Sequence, residues 1–165
     1  MPSFMGNESN GRSIMVVGID FSEHSSRALT AARNMLASAA DSQLHIVHVF
    51  PALQTLGLGA SAVSGDALAL EPVREARALL DSAAANIKGD GGRISAHFRF
   101  GDPAREIAQL ATELNADLVV VGTQGRTGIG RMVLGSTAER VVRMAPCTVL
   151  TVRAQQHHAG VEVAS

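Results

Sequence analysis

The sequence predicts an α/β domain built on one open, doubly wound parallel sheet of five strands, ordered 3-2-1-4-5, with helices on both faces. Three observations lead there. Short apolar runs alternate with segments of helical period along most of the 165 residues, the pattern of successive βαβ units joined by right-handed crossovers. Runs such as Ile14–Ile19 and Leu118–Gly122 carry no polar side chain, as expected of strands covered on both faces. The chain is 46% hydrophobic yet only 3% aromatic, with no Trp or Tyr, so its core must be made of Val, Ile, Leu, Ala and Met.

The first strand is read at Ile14–Asp20, an apolar run ending in an acid. Ser22 stands where an N-cap belongs, and Ala28, Leu29, Ala32, Leu36 and Ala39 form the inward stripe of the first helix. Leu44–Val49 is the second strand, halted near Pro51, and the Gly-, Ser- and Ala-rich stretch from Ala52 to Gly65 reads as a long loop. Glu71-Pro72 opens a second helix facing inward through Val73, Ala76, Leu80, Ala83 and Ile87, with Gly89 as its stop.

Ile94, Ala96, Phe98 and Phe100 alternate with Ser95, His97 and Arg99, which predicts a half-buried strand near a sheet edge. Asp102-Pro103 starts the third helix, an acid at the cap followed by proline in the first turn. Ile107, Leu110, Ala111 and Leu114 make that helix amphipathic. Leu118–Gly122 is the fourth strand, Ser136–Ala145 the last helix, stopped by Pro146, and Thr148–Val152 the fifth strand. The domain therefore spans 13–153, with 1–12 and 154–165 as tails lacking a sustained period.

Charge narrows the function. Fourteen basic and 15 acidic side chains leave a net charge of −1, with no electrostatic pull toward nucleic acid or anionic membranes. Single-stranded nucleic acid would also want aromatic platforms that the chain scarcely has. One cysteine, Cys147, allows neither an intramolecular disulfide nor a thiolate metal cage, and it is expected as a small buried hydrophobe. Residues 1–12 lack the apolar run of a signal peptide, and no stretch reaches the ~18 apolar residues of a membrane span, so a cytoplasmic address is expected.

The most specific chemical signal is Gly122-Thr-Gln-Gly125, followed after nine residues by Gly135-Ser136-Thr137. It leaves the carboxyl end of strand 4 and ends on a helix N-terminus, beside the crevice expected between strands 1 and 4. Glycines let backbone approach a ligand, helix-start N–H groups and the positive dipole end favour an anion, and the Ser136 and Thr137 hydroxyls add donors. Arg126 adds charge from the loop.

The chain resembles the universal stress protein family, in its ATP-binding subgroup. The family pattern G-x2-G-x9-G-[S/T] is met by Gly122, Gly125, Gly135 and Ser136, and Ile19-Asp-Phe-Ser22, Leu134–Arg140 and Ala145-Pro-Cys-Thr-Val149 are similar to it as well. The resemblance covers Ser13 to Arg153 and implies an adenine nucleotide alpha hydrolase-like fold. It implies ATP, or ADP or AMP, as ligand, and leaves open whether Mg²⁺ accompanies the phosphates. Residue by residue, it puts Asp20, with Ile19 beside it, against the adenosine part, the backbone of Val49 against adenine and Val121 near the ribose. Gly122, Gly125, Gly135, Ser136 and Thr137 fall at the ribose and phosphates. Gln124 departs from the family, where many members carry His. A homodimer is also implied, and pairing of Thr148–Val152 with its twin would cover an apolar edge.

Elementary chemistry agrees on the division of labour. Aliphatic walls and strand-end backbone suit a flat base, whereas Asp20 would repel a phosphate and so belongs at the sugar-base end. Asp20 read as a turn or helix-capping acid is the alternative. A dinucleotide fold would place G-x-G-x-x-G after the first strand, and a P-loop would need G-x4-G-K-[ST]; neither stands here. The family reading is of a nucleotide-responsive regulatory or stress-resistance module, with a slow ATP hydrolase or a ligand-free dimeric interaction protein as alternatives. His45 and His48, three apart on a strand, point to opposite faces and make a poor metal site.

Overall fold

A computed structural model describes residues 13–38, 41–51, 70–87, 93–124 and 134–153. The predicted tails, the loop at 52–65, Ala39, Gly89, Gly125 and Arg126 lie outside the described residues. Nine elements alternate along the chain: β1 (Ile14–Ile19), α1 (Glu23–Ala37), β2 (Gln43–Phe50), α2 (Glu71–Ala85), β3 (Arg93–Phe100), α3 (Pro103–Leu114), β4 (Leu118–Gly122), α4 (Ser136–Met144) and β5 (Thr148–Val152). The strands form one sheet in the order β3-β2-β1-β4-β5, and every pairing is parallel, as the sequence predicts.

Strand periodicity sends neighbouring side chains of β1 to opposite faces, and two cores follow. Met15, Val17 and Ile19 join Ala28, Ala32 and Leu36 of α1 and Leu80 and Ala84 of α2 on one face. Val16 turns the other way, to Val47, Ile107 and Leu110 of α3 and Val141 of α4. Helix starts follow the local chemistry. The Ser22 hydroxyl accepts from the Ser25 N–H at 3.2 Å, and the Asp102 carboxylate accepts from the Arg105 N–H at 3.0 Å.

β3 is a half-buried edge strand as predicted, with Ile94 and Phe98 packed on the core, but its burial does not alternate strictly. Ala96 and Phe100 are exposed, while His97 and Arg99 are half-buried. The cause is the strand's edge position under two helices. Arg99 reaches over to pair with Glu106 and Glu113 of α3, and the His97 ring meets His45 of β2 at 2.9 Å. Polar side chains with partners are thereby covered, and apolar ones at the rim are left open.

Candidate functional site

The connection reverses at β1, whose outgoing helix leads to β2 on one side while β4 lies on the other. A crevice opens there, at the carboxyl ends of the strands. It encloses about 350 Å³ and is lined by both halves of the site read from the sequence: Ile19, Asp20, Val49 and Val121 at strand ends, and Gly122, Gly135, Ser136 and Thr137 across from them. Gly125 and Arg126 belong to the segment outside the described residues.

The aliphatic end is rigid by packing. Val47, Val49 and Val121 are each under a tenth exposed and backed by the α3 and α4 core. Ile107 and Pro103 of α3 close this side, and sequence reasoning did not place them in the site. A signal existed, since Asp102-Pro103 begins a helix at the same carboxyl edge of the sheet. Gly18 lets Ile107 come close: a Cβ there would lie 2.7 Å from Ile107 Cδ1.

Asp20 takes the turn role that the sequence offered as one alternative. Its Oδ1 accepts from the Ser22 N–H at 3.0 Å, the bond of an Asx turn leading into α1, and its own N–H donates to Ser25 Oγ at 3.3 Å. The residue also borders the crevice.

At the opposite end the glycine segment is organised by Thr123. Its N–H donates to the Val152 carbonyl at 2.8 Å, its carbonyl accepts from the Gly135 N–H at 2.7 Å, and its hydroxyl meets His24 Nδ1 at 3.1 Å. One residue thus joins β5, the start of α4 and the first turn of α1. The amides of Thr123 and Gly135 are committed to carbonyls. Gly135, the N-cap of α4, supplies no side-chain acceptor, and the α-helical ladder begins with Glu139 donating to Gly135 at 2.9 Å. The N–H groups of Ser136, Thr137 and Ala138 therefore have no acceptor within the helix, and all three residues line the crevice.

Gly122 serves packing as well as the site. A Cβ there would meet the His24 backbone carbon at 2.7 Å and the Ser25 nitrogen at 2.9 Å. The glycine thus admits the first turn of α1 against the end of β4. Among the described residues, no group of three or more His, Cys, Asp or Glu is arranged to hold a metal. Cys147 is half-buried against the α3 and α4 core, and burial, followed by the Asp117 charge, raises its thiol above the ordinary value. No described helix is long and apolar enough to cross a membrane.

An open parallel sheet with a crevice at its topological switch, aliphatic at one end and closed by a helix N-terminus at the other, places the protein in the doubly wound α/β class. Within that class the chain belongs to the universal stress protein family, whose sequence pattern matches residues 11–153. It is 32% identical over 151 residues to a universal stress protein of Methanocaldococcus jannaschii, covering 92% of this chain and 88% of the relative. A solved member of the family from Burkholderia pseudomallei superposes with a TM-score of 0.63 at 31% identity, over 86% of this chain and 96% of that one. A universal stress protein solved in complex with cAMP gives a TM-score of 0.64 at 28% identity, over 87% and 98%.

Proposed function

We propose that the crevice binds an adenine nucleotide, ATP foremost, and that the protein is a nucleotide-responsive module of the stress response rather than a dedicated enzyme. One observation carries this: a single cavity of about 350 Å³ joins aliphatic strand ends to the first turn of α4, whose N–H groups have no acceptor within the helix. A flat base fits the first environment and a phosphate the second. The cAMP complex of a family member at 28% identity supports the choice of an adenine nucleotide.

In this assignment Val49, Val47 and Ile19 flank the base, and Asp20 accepts from hydroxyl or amino donors at the sugar-base end. Val121 and Gly122 lie along the ribose. The N–H groups of residues 136 to 138, with the Ser136 and Thr137 hydroxyls, receive phosphate oxygens, and the sequence pattern assigns Gly125 and Arg126 to the same role. The phosphates supply the charge that the helix start attracts, and Mg²⁺ would be held by their oxygens.

Absorbance at 260 nm of freshly purified protein, with identification of whatever denaturation releases, tests retention directly. Thermal shifts with ATP, ADP, AMP and cAMP, compared with GTP and NAD, test selectivity. At 100 times its dissociation constant, ATP should stabilise the fold by about 2.7 kcal/mol. No shift with millimolar ATP, in protein shown to be free of bound nucleotide, rejects the assignment. Repeating the ATP titration with Mg²⁺ and with EDTA decides whether the ion takes part.

We also propose a cytoplasmic location and a homodimer through β5. Leu150 of that edge strand is 36% exposed, and Val142 and Met144 of α4 are exposed at 48% and 42%. A monomeric sedimentation profile at micromolar concentration rejects the dimer.

A further inference from the structure

We propose that His48 positions Asp20 for ligand contact, acting from the far face of the sheet. Asp20 follows the last residue of β1, and both of its chain neighbours are held by the same imidazole. On the near side, His48 Nδ1 lies 2.8 Å from the Ile19 carbonyl. A carbonyl only accepts, so Nδ1 carries the proton and donates it. On the other side, Phe21 sits at φ 64, in the left-handed region that bulky residues avoid. Its ring lies against His48 with centroids 4.6 Å apart.

His48 is itself fixed. It is 6% exposed and braced by Phe98 at 5.6 Å. Its neighbours Val47 and Val49 line the crevice, whereas His48 does not, because alternate residues of β2 face opposite ways. The imidazole therefore acts on Asp20 through the backbone of 19–21. Holding Ile19 in place and Phe21 in its left-handed conformation sets the peptide planes on either side of Asp20. The Asx turn to Ser22 then orients the carboxylate. Releasing the ring would let Phe21 return to a favoured region and swing Asp20 away from its present direction.

The affinity half of this proposal rests on nucleotide binding as proposed above; the amide-exchange half does not. His48→Leu and His48→Asn form the informative pair in the full-length chain. Both replacements branch at Cγ, and the Asn amide nitrogen lies as many bonds from Cα as Nδ1 does, so they differ chiefly in the donor. The Ser22 N–H, held by Asp20 Oδ1, reports the turn, and the Val17 N–H reports the sheet.

Ser22 should exchange about tenfold faster in His48→Leu, the scale of one lost hydrogen bond, with Val17 unchanged, and His48→Asn should restore the wild-type rate. Equal Ser22 rates in all three proteins, equal acceleration by Leu and Asn, or parallel acceleration at Val17 overturns the proposal. ATP affinity should likewise fall about tenfold in His48→Leu, stay within about twofold in His48→Asn, and fall no further when His48→Leu is added to Asp20→Ala. An undiminished loss in the Asp20→Ala background also overturns it. If the wild-type protein binds no ATP, the nucleotide assignment fails while the exchange rates still decide positioning. If His48→Leu does not fold, Phe21→Ala removes the ring contact with His48 while keeping the Cβ that disfavours φ 64: faster exchange at Ser22 supports the proposal, and an unchanged rate overturns it.

Discussion

Asp102 accepts from both terminal nitrogens of the Arg140 guanidinium, Nη1 and Nη2, at 2.7 and 2.8 Å, while its Oδ1 caps α3 through the Arg105 N–H. The carboxylate thereby ties the start of α3 to α4, the two helices that close the crevice. The pair is open to water, with side chains 49% and 38% exposed, so the charge contact should contribute little and the cap most. Arg140→Gln should leave the melting temperature nearly unchanged. Asp102→Ala should cost about 1 kcal/mol, and Asp102→Asn, which keeps an acceptor, much less. In a domain of this size 1 kcal/mol corresponds to roughly 2–4 °C of melting temperature. Calorimetry on the three variants checks the order.

The same carboxylate carries an acid limb. Hydrogen bonding from Arg140, first, and then from the Arg105 N–H holds Asp102 below its ordinary value of 3.8. A depressed acid contributes stability that is present above the unfolded value and lost as pH falls through the folded one. Melting measured from pH 5 downward should therefore fall less steeply in Asp102→Asn below pH 3.8.

His45 and His97 open a second window at higher pH. Their rings share a proton across 2.9 Å, an arrangement that fails once both are charged. Burial, and then the neighbouring His97, lowers His45 from 6.5. Burial and Arg99 lower His97, against an opposing effect of Glu113. For a base depressed by folding, the unfolded chain binds more protons between the two values, so stability is full above 6.5 and declines as pH falls below it. Thermal melts from pH 7.5 to 5.5 should show this slope in the wild type and a flatter one in His97→Gln. Identical slopes would remove the pair as its source.

Two glycines at the crevice should respond differently to alanine. At Gly122 the new methyl would meet backbone atoms of α1 at 2.7 and 2.9 Å, and a helix turn cannot step aside cheaply. Overpacking of this kind costs typically about 1–3 kcal/mol. At Gly18 the contact at 2.7 Å is the far end of the Ile107 side chain, which can rotate. Denaturant unfolding should rank Gly122→Ala clearly below Gly18→Ala. The reverse order would mean that α1 is less firmly seated than its packing implies.

These contrasts also mark what was legible in the sequence. Strand order and both cores follow from apolar runs and helical stripes, because burial on two faces writes itself into composition. The glycine pattern and the acid closing β1 carry local signals of a strand end and a helix start, whereas Val49 and Val121 were singled out only through the resemblance to the family. Pro103 and Ile107 were not, since their place depends on how α3 lies across the sheet. The His45–His97 contact and the imidazole bridging Ile19 and Phe21 are cross-strand events separated by many residues, and no period announces them. In β3 the alternation misled, because a helix overhanging an edge strand covers polar partners and leaves rim phenylalanine exposed.

The first turn of α4, whose N–H groups have no acceptor within the helix, yields a prediction in which stability and binding move in opposite directions. Thr137 is exposed in the first turn of the helix and borders the crevice. A carboxylate at that place, as in Thr137→Glu, complements the positive end of the helix dipole and should stabilise the ligand-free protein by about 0.3–1 kcal/mol. The same charge occupies the position assigned to phosphate oxygens and should repel them. ATP affinity should therefore fall sharply while adenosine, which shares the base and sugar contacts, binds nearly as before. Titration calorimetry with both ligands, alongside the ligand-free melting temperature, separates the effects. Equal losses for ATP and adenosine would place the phosphates elsewhere, and a lower ligand-free melting temperature would show that the N–H groups of this turn already have partners of their own.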